Sequence, residues 1–108
     1  MEASSQEPQY YAVIFTSKRN LKDDGYADMA NRMESLSSTE PGFLGIQSVR
    51  GDDGFGITVS YWKSLDDIKR WKSNLEHRQA QALGRTKWYE GYEVRVCKVE
   101  NYYEFGQI

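Results

Sequence analysis

The feature that most constrains this chain is a seven-residue run, YYAVIFT at positions 10–16. Its residues are mostly β-branched or aromatic, which favours a strand, and both alternating sets, Tyr10/Ala12/Ile14 and Tyr11/Val13/Phe15, are apolar. A strand points successive side chains to opposite faces of its sheet, so this one has to be covered on both sides. The chain has 108 residues, enough for one domain with one core. One layer of its own helices can cover one face, and the other face needs a different cover.

The remaining segments alternate between the two regular periods. Residues 1–9 lack basic residues and an apolar run, so they read as a loose tail and not as a secretory or mitochondrial leader. After the polar stretch 17–25, Tyr26, Met29, Ala30, Met33 and Leu36 recur at helical steps, and the pattern stops before Pro41. Phe43 to Arg50 reads as a second strand, and Gly51-Asp-Asp-Gly54 is a hairpin signal. The third strand, 55–62, sets Phe55, Ile57, Val59 and Tyr61 on one face and Gly56, Thr58, Ser60 and Trp62 on the other. The first set reads as the core side, the second as negotiable. Ser64 and Asp67 match a capping box that opens a second helix, whose stripe Leu65, Ile68, Trp71, Leu75, Ala82, Leu83 ends at Gly84. Tyr92 to Val99 alternates as a fourth strand, and Tyr102, Tyr103 and Phe105 follow as an aromatic tail.

The order β-α-β-β-α-β predicts an α+β domain at 10–108 of the ferredoxin-like type, with a four-stranded antiparallel sheet and two helices on one face. An apolar sheet face left in water would be a large exposed patch, so the expectation is a homodimer that stacks sheet on sheet. With 14 Lys and Arg against 16 Asp and Glu, the formal charge of -2 supplies no global field for nucleic acid or anionic lipid. The same element order occurs in RNA-binding domains. Asp53, Ile57 and Ser60, however, stand where a base-stacking strand needs a basic residue and two aromatics, so no nucleic-acid partner is expected. The composition is too polar for a membrane protein. The single Cys97 excludes an internal disulfide and any zinc site built from several cysteines and fits a reducing, cytoplasmic address, and the lone His77 excludes a multi-histidine metal site. Aromatic residues make up 14% of the chain, more than a small core readily hides, so some should face an interface or a ligand.

His77 is the one side chain that ordinarily titrates near neutrality, so acid–base chemistry would fall to it. In one straight helix from Leu65 to Leu83 it points to solvent; a break at Ser73-Asn74, with Asn74 capping a new helix, re-aims it inward. Arg78 follows Trp71 by two turns on the same stripe, an odd place for a cation in a core helix, and is the candidate anion holder. Trp71, Trp62, Tyr61 and Phe15 are the candidate substrate-binding residues, in a cavity between sheet and helices with His77 or Arg78 at its polar edge. No nucleophile–base pair, phosphate loop or dinucleotide fingerprint can be read.

Five runs together, YYAVIFTS at 10–17, PGFLG at 41–45, VSYWKSLDDIKRWK at 59–72, EHRQAQALGR at 76–85 and WYEGYEVRVCKVE at 88–100, resemble the antibiotic biosynthesis monooxygenase family. That resemblance implies a dimeric α+β barrel. It also implies one of three activities: cofactor-independent oxidation of an aromatic phenol or quinol by dioxygen, haem degradation, or non-catalytic binding of a small hydrophobic ligand. For the first, no cofactor is expected; Trp71, Trp62 and Tyr61 would shield the substrate, His77 take its proton and Arg78 hold the developing anion. For the second, Trp71 matches the haem-degrading branch, but Phe15 and Thr16 stand where that branch has an Asn, and His77 comes about one turn early.

Overall fold

The computed structural model describes residues 9–20 and 25–108. The N-terminal tail read at 1–9 therefore lies, except for its last residue, outside the described residues, as does part of the polar stretch 17–25. In chain order the elements are β1 (Tyr10–Arg19), α1 (Tyr26–Ser37), β2 (Phe43–Arg50), β3 (Phe55–Trp62), α2 (Leu65–Ser73), α3 (Leu75–Leu83) and β4 (Tyr89–Val99), with a π-helical turn at Gly84–Trp88 joining α3 to β4. The sheet order is β2-β3-β1-β4 and every pairing is antiparallel. This is the ferredoxin-like α+β arrangement, with three helices in place of the two expected.

β1 runs three residues beyond the apolar core of its sequence because its outer half is held on both edges. Ser17 and Lys18 pair with Gly56 and Phe55 on one side and with Tyr92 and Gly91 on the other. The Gly51–Gly54 hairpin sets the β2–β3 register and places Arg50 opposite Gly56. A bulge between Phe43 and Gly45 shifts that register at the far end, so that Phe43 lies opposite Trp62.

The two sides of the sheet are the reverse of what apolarity alone suggests. Trp62 stacks on Trp71 of α2, so the helices cover the side of Gly56, Thr58, Ser60 and Trp62. Ser17 and Arg50 lie on this inner side too, bonded to each other. The apolar set faces away from the helices: Val49 is 73% exposed, Phe55 48% and Ile57 37%. Among the described residues the buried hydrophobic side chains are Ala12, Trp62, Ile68 and Trp88. Neither α1 nor α3 buries an apolar side chain completely. Ser48 and Thr58, on the same side of the sheet as Trp62, share an exposed hydrogen bond of 2.7 Å.

Candidate functional site

Two groups of side chains occupy the inner side, one at each end of the β3 strand. The first is an aromatic row. The Phe43 ring meets Trp62 edge-on at 5.4 Å, Trp62 stacks on Trp71 at 6.2 Å with 25° between planes, and His77 stands edge-on to Trp71 at 4.9 Å. Trp62 has no exposed surface, and its indole N–H donates to Ser60 Oγ at 2.9 Å, which satisfies the one polar group that burial would orphan. Trp71 and His77 are half-buried.

Local sequence explains how His77 reaches that row. Ser64 Oγ accepts the Asp67 N–H at 3.1 Å and donates to the Asp67 carboxylate at 2.8 Å, so α2 starts in fixed phase with Ile68 and Trp71 on its inner face. The Ser64 hydrogen bond, and then Arg70, hold the Asp67 carboxyl below its ordinary range. At Asn74 the backbone leaves the helical region with ψ 134°, and the Asn74 side chain accepts the N–H groups of Glu76 at 2.9 Å and His77 at 3.3 Å. α3 is thus a new helix, and the broken phase turns His77 inward. Burial, with a smaller contribution from the Lys72 charge, lowers the His77 pKa, so the imidazole is neutral at pH 7 and able to accept a proton.

The same break moves Arg78 out. In a continuous helix it would follow Trp71 on one stripe; after the reset at Asn74 it is exposed, and its side chain makes none of the site's hydrogen bonds. Tyr61 is also elsewhere. As the strand neighbour of Trp62 it points to the outer side, where its ring meets Tyr10 at 6.1 Å and its hydroxyl bonds Gln47. Phe15 is on the inner side but belongs to the second group, packing against Tyr89 at 5.4 Å and Tyr92 at 5.3 Å. On the inner side of the edge strand β4, Val94 and Val96 are about half exposed. Two grooves lie away from the Trp71 row, one of about 360 Å³ at the sheet end between Thr16, Phe55 and Glu93, the other of about 610 Å³ within the tail residues Tyr102–Ile108.

The second group was not singled out in the sequence. Tyr26, at the start of α1, meets Trp88 at 5.7 Å and Tyr89 at 5.8 Å, both edge-on. The Arg19 guanidinium lies 3.7 Å over the Tyr26 ring. Tyr89 donates to the Tyr26 hydroxyl at 3.4 Å, and burial together with that bond pushes the Tyr89 pKa well up, so its phenol stays protonated. The usable signal was strand alternation: counted back from the hairpin, Arg50 falls on the side of Gly56 and Thr58, where a cation has to be held by something.

Among the described residues no group of three His, Cys, Asp or Glu side chains is placed to hold a metal, and no helix is long and apolar enough to cross a membrane. The residues present differ from the haem-degrading pattern: β1 offers Phe15 and Thr16 where that branch has an Asn, and the His77 ring stands edge-on to the Trp71 indole.

Comparison with known proteins converges on one family. Residues 11–83 match the model of the antibiotic biosynthesis monooxygenases. The chain is 53% identical over 98 residues to the Bacillus subtilis protein YqjZ, covering 91% of this chain and 86% of that protein. It is 29% identical over 94 residues to a jasmonate monooxygenase of Pyricularia oryzae, covering 82% of this chain but only 43% of the longer fungal protein. In fold it resembles the cofactor-independent oxygenase SnoaB of Streptomyces nogalater (TM-score 0.74, 11% identity, 87% of this chain and 96% of that one). It likewise resembles an antibiotic biosynthesis monooxygenase homologue of Caulobacter crescentus (TM-score 0.73, 17% identity, 89% and 95%).

Proposed function

The chain belongs to the antibiotic biosynthesis monooxygenase family, and from that premise we propose that it oxidises an aromatic phenol or quinol with dioxygen, without a cofactor, on the inner side of its sheet. The observation that carries this reading is a half-buried His77 held edge-on to Trp71, its pKa lowered chiefly by burial. A core helix has no use for that arrangement. An oxygenase that relies on its substrate's own electrons needs it, because the substrate must lose a proton before it can reduce dioxygen.

In this scheme His77 accepts the phenolic proton and the resulting anion delocalises onto carbon. That carbon transfers an electron to dioxygen and then bonds to it, giving a hydroperoxide. The peroxide takes back the proton held by His77, and loss of water from the hydroperoxide leaves a new carbonyl, so the phenolic O–H, one ring C–H and O₂ become the two carbonyls of a quinone and H₂O. Trp71 and Trp62 supply flat apolar surface that keeps bulk water from the anion. Arg78 is left out, since it is exposed.

Dioxygen uptake with a panel of quinols and with haem tests the reading. Consumption with a quinol, lost in His77→Ala and retained in Arg78→Ala, supports it. Turnover of haem to a tetrapyrrole would replace it with the haem-degrading reading, and tight quinol binding without uptake in the wild type would replace it with a binding module.

The same reading includes a homodimer built on the outer side of the sheet. Val49, Phe55 and Ile57 are exposed there, and the tail carries Tyr103 at 88% and Phe105 at 98% exposure, a set that a single chain leaves in water. Burial returns about 25 cal/mol for each Å² of apolar surface, which favours covering them with a second copy.

A further inference from the structure

The helix that carries His77 is set apart from its neighbours at both ends. α3 lies between two interruptions of the regular helical ladder: Asn74, where the backbone leaves the helical region with ψ 134°, and the π-helical turn at Gly84–Trp88. The two ends are held differently. At the π turn Gly84 and Trp88 are buried, a Cβ on Gly84 would stand 2.9 Å from the Tyr89 ring, and the Trp88 carbonyl accepts the Asn20 N–H at 2.9 Å. That end is packed hard against the sheet. At the other end the side-chain bonds of Asn74, to the Glu76 and His77 N–H groups, belong to α3 itself and travel with it.

Little holds the length of α3 down. None of its side chains is fully buried, and its half-buried residues, Glu76, His77, Ala80, Gln81 and Leu83, include only two aliphatic ones. Leu75, which an unbroken apolar stripe would seat inside, is exposed. Helices in proteins draw most of their stability from packing an apolar face, so an element with so little of one belongs to the part of a molecule that opens first. Two contacts secure its first turn: His77 against Trp71 of α2, and Glu76 ion-paired with Arg32 of α1. Among the described ion pairs, Arg32–Glu76 is the one that crosses the seam between α1 and α3. Glu76 and His77 are chain neighbours whose N–H groups share one Asn74 oxygen, so a motion of that turn that parts one contact parts the other.

We propose that α3 is a lid over the inner side of the sheet, pivoting between Asn74 and the π turn, with the Arg32–Glu76 ion pair as the latch that holds it against α1. The assignment rests on the inner side being the substrate site. It gives that site an entrance, the seam between α1 and α3, through which a flat aromatic molecule passes to the Trp71 face. Closing returns His77 to Trp71 and keeps bulk water from the reacting anion. The latch suits an entrance because it is weak: an exposed ion pair shifts an equilibrium by up to about fivefold, which biases the closed form without sealing it.

The test needs no substrate. His77 is the only histidine in the chain and Cys97, on the outer side of β4, the only cysteine, so two reagents read lid and sheet separately. Diethyl pyrocarbonate modifies His77, at about pH 8 where the imidazole is neutral, and dithiodipyridine modifies Cys97. Arg32→Gln should raise the His77 rate roughly two- to fivefold. Arg32→Glu, which faces Glu76 with a like charge, should raise it further, and Arg32→Glu with Glu76→Arg, which rebuilds the pair with its charges exchanged, should fall back below Arg32→Glu. Salt near 1 M, which shrinks the Debye length to about 3 Å, should speed the wild type and leave Arg32→Gln unchanged; this arm uses the native chain and decides even where a variant fails to fold. The Cys97 rate should stay at its wild-type value throughout. His77 rates that ignore both Arg32 substitution and salt would overturn the lid and leave a surface ion pair with no hold on α3. Cys97 rates that rise in step with those of His77 would overturn it as well, since they report a general loosening. Neither result bears on the proposed oxidation, which dioxygen uptake decides.

Discussion

Replacing Asn74 with alanine tests the step on which the site depends, the break that turns His77 toward Trp71. The substitution removes the oxygen that accepts the Glu76 N–H at 2.9 Å and the His77 N–H at 3.3 Å. Loss of such a cap costs about 1 kcal/mol, whereas glycine at the same place costs only a few tenths. For a domain near 100 residues, 1 kcal/mol is a fall of roughly 4–8 °C in melting temperature. The same energy raises the share of molecules with α3 unseated about fivefold. His77 loses burial in those molecules, and burial is the main cause of its lowered pKa. The variant should therefore melt lower and titrate its imidazole closer to the ordinary value of about 6.5. Asn74→Asp retains an acceptor and should keep the melting temperature, but its charge should raise the His77 pKa. Thermal unfolding with histidine NMR titration reads both effects. An Asn74→Ala protein that melts and titrates as wild type would refute the argument that this cap orients His77.

Further outcomes follow from the same geometry. Because the folded pKa of His77 lies below its unfolded value, the neutral form is favoured on folding. The His77 contribution is present above the unfolded pKa of about 6.5 and is lost as pH falls through the folded value; urea titrations at stepped pH should show that loss, absent in His77→Phe. Gly42 has φ 83°, and a Cβ there would overlap the Asp67 carboxylate that completes the α2 cap. Gly42→Ala should lose at least the roughly 1–2 kcal/mol of a left-handed residue, measured by denaturant unfolding. Ile57→Lys, on the outer side, should turn a dimer into a monomer by light scattering while leaving the circular dichroism unchanged. A wild-type chain that is monomeric at tens of micromolar would remove the dimer from the account.

The sequence alone determined the parts of this protein that depend on local period and local hydrogen bonding. The two apolar faces of residues 10–16, the Gly51–Gly54 hairpin, the Ser64–Asp67 cap and the alternation of 55–62 define strands, helices and their order, since each is a regularity among near neighbours. Asn74 was legible as a place where the helix could restart, because a cap needs only its own side chain and the next three residues. Whether it did restart depended on what His77 would meet, and Trp71, itself stacked on Trp62 of β3, supplies that contact. Sheet sidedness was likewise beyond the sequence. Alternation says which residues share a face but not which face the helices take, and apolarity misleads where the outer side awaits a cover of its own. The Arg50 group is tertiary for the same reason. Gly56 is next to it only across a strand pair, while Ser17, Tyr26 and Tyr89 arrive from 24 to 39 positions away in the chain. Chain neighbours set the elements; only packing brought a cation, a glycine gap and two phenols to one point.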